Sequence, residues 1–144
     1  MKLLTACLLA GSFFLIADDS DLTKKDLQKM QGEWAAVEVV REGNPLERDA
    51  AQAYFRTVKD ETYIMARFRK VVGKGTFNID ATKSPRHIDA TPAPPNTKTL
   101  KGIYEWDGDK LKIIFGPPDG ERPTDFKTEP GSPNSYTLWE RESR

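Results

Sequence analysis

The chain has 144 residues, 22 Lys and Arg against 22 Asp and Glu, one histidine and one cysteine. Balanced charge excludes a general attraction to nucleic acid or anionic membrane, and a single cysteine excludes an intramolecular disulfide. The length suits one domain with a single core and no covalent staples.

The first element reads as an export signal. Met1-Lys2 precedes an apolar or small run over residues 3–17, and the chain then turns acidic at Asp18-Asp19. Charge, length and position are those of a secretory signal peptide, and the run falls short of the roughly 20 apolar residues that a spanning helix needs. Cleavage after Ala17 is expected, leaving residues 18–144 as one exported domain, periplasmic or extracellular. Lys2 is the leader's only charge, so that domain carries one net negative charge. Leu4-Thr5-Ala6-Cys7 resembles a bacterial lipobox, but the apolar run continues past Cys7, the wrong order for lipid anchoring. No stable membrane insertion is expected once the leader is removed.

A helix follows. Thr23 with Asp26 three places on matches a capping box, and Leu27 and Met30 mark an apolar face that ends near Gln31-Gly32. Its expected role is to close the bottom of a barrel. A valine-rich strand is predicted over residues 33–41, stopped by Glu42-Gly43. Asn44-Pro45 then predicts a helical turn, with Asn44 as N-cap, Pro45 at the first helical position and Leu46, Ala50 and Tyr54 at helical spacing.

The remaining strands are predicted over residues 54–59, 62–69, 73–80, 86–90, 99–106, 111–115 and 135–141. Their spacing points to an all-β barrel or sandwich rather than to βαβ units. The clearest pair is the hairpin in GIYEWDGDKLKIIF: Tyr104 and Trp106 alternate, Asp107-Gly108 supplies the turn, and Leu111, Ile113 and Phe115 alternate on the way back. Phe77 and Ile79 likewise share a face. Two proline-rich loops, ATPAPPNTK and GPPDGERPTDFKTEPGSPN, interrupt the strands, and the second is long enough to suggest function. About eight strands predict a single up-and-down antiparallel barrel, with a short N-terminal helix and a helical turn between its first two strands. Such a barrel packs its interior with side chains or holds one small ligand.

The stretches LQKMQGEW, GTFNIDATKSPRHIDATP, KTLKGIYEWDGDKLKIIFGPPDGERPTDF and LWERE together resemble an uncharacterised family of secreted, lipocalin-like domains from planctomycete bacteria. The resemblance covers residues 22–142. It implies a calycin-type β-barrel and implies no reaction or cofactor. Gly32-Glu33-Trp34 also matches the first lipocalin motif, and Thr124-Asp125-Phe126 is similar to the Thr-Asp-Tyr of the second. Arg141 or Arg144 stands where the family's arginine packs across the tryptophan. A bonded indole under a cation would stabilise barrel closure with or without a ligand.

Catalytic chemistry finds little footing. His87, the lone histidine, cannot build a multi-histidine metal site and has no cysteine in the exported domain to assist it, and no nucleophile-elbow pattern is present. Asp107-Gly108-Asp109 lacks the later ligands of a calcium loop, and Gly73-Lys74-Gly75 is too short for a phosphate loop. No metal is expected.

The aromatic residues are the stronger lead. Trp34, Phe77, Tyr104, Trp106, Phe115 and Tyr136, with Ile79, Ile113 and Leu138, fall on positions that alternation turns inward, and Glu38 and Arg67 would be the polar groups that orient a ligand. These eleven residues are the expected pocket, beneath a lid at residues 45–52. The leading expectation is a secreted, non-enzymatic barrel that binds a small apolar or amphipathic molecule. The alternatives are a filled-barrel structural or protein-interaction module of the cell envelope, using the loop at 116–134, and an enzyme acting on a small extracellular substrate.

Overall fold

The computed structural model describes residues 19–143. The expected leader at 1–17, Cys7 and Arg144 lie outside the described residues.

Helix α1 (Asp19–Met30) leads into strand β1 (Gly32–Arg41), and Gly32 makes the corner with a φ of 110°, a conformation open to glycine. Thr23 lies inside the helix rather than at its cap. Its hydroxyl accepts the Ala81 N–H at 3.1 Å, which ties the helix to the barrel. After β1, Glu42 and Gly43 both take positive φ (53° and 77°). The chain therefore doubles back at once, and Asn44-Pro45, expected to begin a helix, instead forms β2 (Asn44–Pro45) against Val40 and Arg41. Helix α2 (Arg48–Gln52) starts three residues later than predicted, after Glu47.

Seven strands follow: β3 (Tyr54–Lys59), β4 (Thr62–Arg67), β5 (Lys70–Asp80), β6 (Arg86–Pro92), β7 (Leu100–Asp107), β8 (Lys110–Phe115) and β9 (Ser135–Arg141). From β3 onward each pairs antiparallel with the next, and β1 pairs with both β3 and β9. The result is a closed eight-stranded up-and-down barrel with β2 as an extra ribbon. Closure leaves each barrel strand with a neighbour on both sides.

The barrel has a sealed end and an open end. Met30 and Leu27 of α1 pack into the interior cluster beside Trp34, Tyr104, Leu111 and Trp106, so the helix face predicted from Leu27 and Met30 is the stopper. At the other end lie the turn after β1, the β4–β5 turn and the two proline-rich loops. Helix α2 is a wall element. β1 pairs with β3 only through Gly32–Ala35, and beyond that point Ala51 and Leu46 join the interior cluster from the gap between the strands.

The long loop at 116–134 is a strap on the outer face. Ile103 and Ile114 are fully buried yet lie out of phase with the inward Tyr104 and Ile113, so they need an outer cover. Arg122 crosses that face, donating to the Asp89 carboxylate at 2.6 Å and to the Gly102 carbonyl at 2.7 Å. Backbone bonds from Gly116 to Lys101 and from Asp119 to Thr99 fix one end of the strap, and bonds joining Glu42 to Asn134 and Gly131 fix the other.

Candidate functional site

The sealed end is built on two polar knots. Trp34, 1% exposed, donates its indole N–H to the Met30 carbonyl at 2.8 Å. The Arg141 guanidinium lies 4.4 Å over its ring and donates to the carbonyls of Gln31 and Lys29, so β9 clamps both the indole and the end of α1. The second knot is Asp26. Its carboxylate accepts from the Tyr104 hydroxyl at 2.7 Å, the Trp106 indole at 3.1 Å and Arg86 at 2.7 Å. Burial and the adjacent Asp26 carboxylate hold the Tyr104 hydroxyl well above the usual tyrosine range. Capping-box logic put Asp26 at a helix start, whereas it is the buried acceptor that joins α1 to β6 and β7.

The open end holds a cavity of about 1230 Å3, somewhat above the ~300–1,000 Å3 usual for small-molecule pockets. Met65, Leu100, Ile113, Phe115 and Trp139 supply apolar wall, and prolines from both proline-rich loops stand at its mouth. Gly73 lines one side, where an added Cβ would meet only the Met65 Cβ, at 4.0 Å.

Arg56 is the exceptional lining residue. It is 5% exposed, in phase with Tyr54 and Val58 along β3, and opposite Trp34 and Met65 on the neighbouring strands. Its guanidinium carbon sits 4.9 Å from the Tyr63 ring centre and 5.5 Å from that of Phe77. Among the described residues the salt bridges are Arg86–Asp26 and Arg122–Asp89, and Arg56 has neither a carboxylate nor a hydrogen-bond acceptor. No described side-chain nitrogen or oxygen is sealed away without a hydrogen-bond partner, so its N–H groups face the cavity. Burial lowers its pKa to about 10, partly countered by Tyr63, and the group stays cationic at neutral pH. Burial in turn raises the Tyr63 pKa.

The expected pocket residues divide four ways. Ile113 and Phe115 line the cavity. Trp34, Phe77, Ile79, Tyr104 and Trp106 point inward but belong to the packed sealed half. Arg67 lies opposite Tyr54 on the same face, exposed at the rim with its guanidinium carbon 5.4 Å from the tyrosine ring. Glu38, Tyr136 and Leu138 point outward. A bulge between Ala36 and Glu38 reverses the alternation of β1, so Val39 takes the inward place that regular alternation from Trp34 gives Glu38. Tyr136 pairs with outward Val40 and Ile114, and Leu138 with Glu38 and Lys112. Ser135, Thr137, Trp139 and Arg141 take the inward phase of β9. The residues at 45–52 do not line the cavity, so they are no lid over it.

Thr124-Asp125-Phe126 lies in the outer strap and, with Lys83 and Pro85, edges a shallower depression of about 570 Å3 at the sealed end. His87 is half-buried on the outer face of β6, its pKa lowered by burial and then by Arg122. No cluster of three His, Cys, Asp or Glu side chains suited to a metal occurs among the described residues, and none of their helices is long and apolar enough to cross a membrane.

Sequence reasoning missed Arg56, Tyr63 and Met65. The signal was present in YFRTVK, where an arginine occupies the apolar phase between Tyr54 and Val58. No protein-family model, curated protein or solved structure matches the chain.

Proposed function

We propose that this chain is an exported, lipocalin-like, non-enzymatic barrel that holds a small apolar or amphipathic molecule in its open half. The carrying observation is the cavity of about 1230 Å3, walled by Met65, Leu100, Ile113 and Phe115 and floored by the packed aromatic half. A barrel needed only as a scaffold would gain stability by burying further apolar side chains in that space. The filled-module alternative has less support, because the long loop lies pinned to the wall. Its candidate contact segment is tied down at Arg122 and at both ends.

The test is titration with Nile red, an uncharged fluorophore, against the purified domain and Leu100→Trp, which places an indole at the cavity wall. Saturable binding with a blue-shifted emission, lost or at least tenfold weaker in the variant, is the expected result. Absence of saturable binding to the parent protein, or binding indifferent to the indole, would reject the reading. Native mass spectrometry of protein from its own organism would then identify any co-purifying molecule.

A further inference from the structure

Water solvates a guanidinium strongly, and an interior that withholds water normally supplies a carboxylate or several carbonyl acceptors instead. Arg86 and Arg122 follow that rule with their aspartates. Arg56 is more buried than either and has no such partner among the described residues. Two aromatic faces steady it from the side, leaving the planar fork of N–H donors turned to the cavity.

We propose that the cavity selects an organic anion, a carboxylate on an apolar body, and that Arg56 is its counter-ion. This deepens the ligand-binding reading and rests on it.

The surroundings agree in charge and in shape. The charged residues lining the cavity are Arg41, Arg56 and Lys74 against the single carboxylate Glu42. Arg41 and Arg67 flank Tyr54, their guanidinium carbons 5.0 Å and 5.4 Å from its ring centre, so the rim is cationic as well. The hairpin of β4 and β5 carries Arg67, Arg69, Lys70 and Lys74 and has no Asp or Glu between Thr62 and Ile79. Tyr54, the next inward residue of β3, stands nearer the mouth than Arg56, and Val58 lies deeper in the packed half. A carboxylate that reaches the guanidinium therefore draws its apolar body along Met65, Leu100, Ile113 and Phe115. The fork binds a carboxylate through two parallel N–H···O bonds, which an ammonium cannot reproduce. A phosphate monoester or a dianion suits the site less well, because one buried monocation balances one charge.

The experiment compares three probes with the same twelve-carbon body: dodecanoate, 1-dodecanol and dodecyltrimethylammonium, each displacing Nile red from the parent domain, Arg56→Met and Arg56→Lys. In the parent, dodecanoate should bind about tenfold or more tighter than dodecanol, the discrimination expected of a charge-assisted bond, and the ammonium weakest. In Arg56→Met the acid preference should fall to within about twofold while dodecanol affinity is retained. Arg56→Lys should keep an intermediate preference, and it carries the comparison if the methionine variant does not fold. Equal affinity of acid and alcohol for the parent overturns the inference. So does an acid preference that survives Arg56→Met, which would assign selection to the rim cations. If Nile red binds but no preference exists, the anion inference alone fails. If neither the dye nor any dodecyl compound binds, the ligand-binding reading fails and takes this one with it.

Discussion

Arg56→Met should stabilise the unliganded protein, against the usual direction for a change at a buried site. The pKa lowered from 12.5 to about 10 corresponds to about 3 kcal/mol by which folding disfavours the charged form, at roughly 1.4 kcal/mol per unit. Part of what the substitution recovers is lost again with the two ring contacts, each worth about 1 kcal/mol for a cation whose N–H groups still reach the open cavity, although a thioether keeps some contact with Tyr63 and Phe77. The net expectation is a gain of about 1–2 kcal/mol, or about 4–8 °C in Tm for a domain of this size. Thermal and urea unfolding followed by circular dichroism measure it, with the urea m-value unchanged. The cost is present in full below about pH 10, because the folded state binds fewer protons than the unfolded one between the lowered and ordinary values. It is relieved as pH rises through that window, so the variant, lacking this relief, should lose stability more steeply above pH 10 than the parent. A loss of more than about 1 kcal/mol at neutral pH would refute the reasoning, since it would mean that the guanidinium is well solvated or bonded in the folded chain.

Asp26→Asn should destabilise by about 2–4 kcal/mol, because an amide cannot accept from Tyr104, Trp106 and Arg86 together; a urea midpoint shifted by less than half that would show the knot to be dispensable. Arg69 sits in the β4–β5 turn with φ of 63°, so Arg69→Gly should gain up to about 1 kcal/mol, less the contact with Phe55, by easing the left-handed backbone. A lowered Tm would contradict this. Burial, followed by Glu38 and other outer-face carboxylates, pushes Tyr136 up to about 12. The folded state then holds that proton more tightly than the unfolded one, so this contribution is present below about pH 10 and is lost as pH rises toward 12. Tyr136→Phe should flatten the alkaline decline in urea midpoint, and an unchanged slope would discount the shift.

Much of the architecture was legible in short-range pattern. Alternation in GIYEWDGDKLKIIF located the β7–β8 hairpin, and the Leu27–Met30 spacing located the stopper helix. Gly32-Glu33-Trp34 marked the sealed end, where the indole is bonded and lies beneath Arg141. Each of these signals lives within a few residues, where period and turn chemistry settle the outcome. The pocket was less legible. Seven residues of the expected set lie on the inward face besides the rim residue Arg67, yet alternation could not divide the five packed ones from Ile113 and Phe115, which line the open half. That division depends on how deep each residue sits between α1 and the mouth.

Local alternation therefore determined that this chain forms consecutive antiparallel strands with one apolar face each, capped by an amphipathic helix. Tertiary structure decided the rest. The bulge at Ala36–Glu38 reversed the phase of β1, and closure against β1 turned Trp139 inward in place of Tyr136 and Leu138. Closure also put Arg56 beside Tyr63 and Phe77 at the border between packed and open halves. A strand's period says which residues share a face, but only the ring of partners fixes which face is enclosed and at what depth a charge sits.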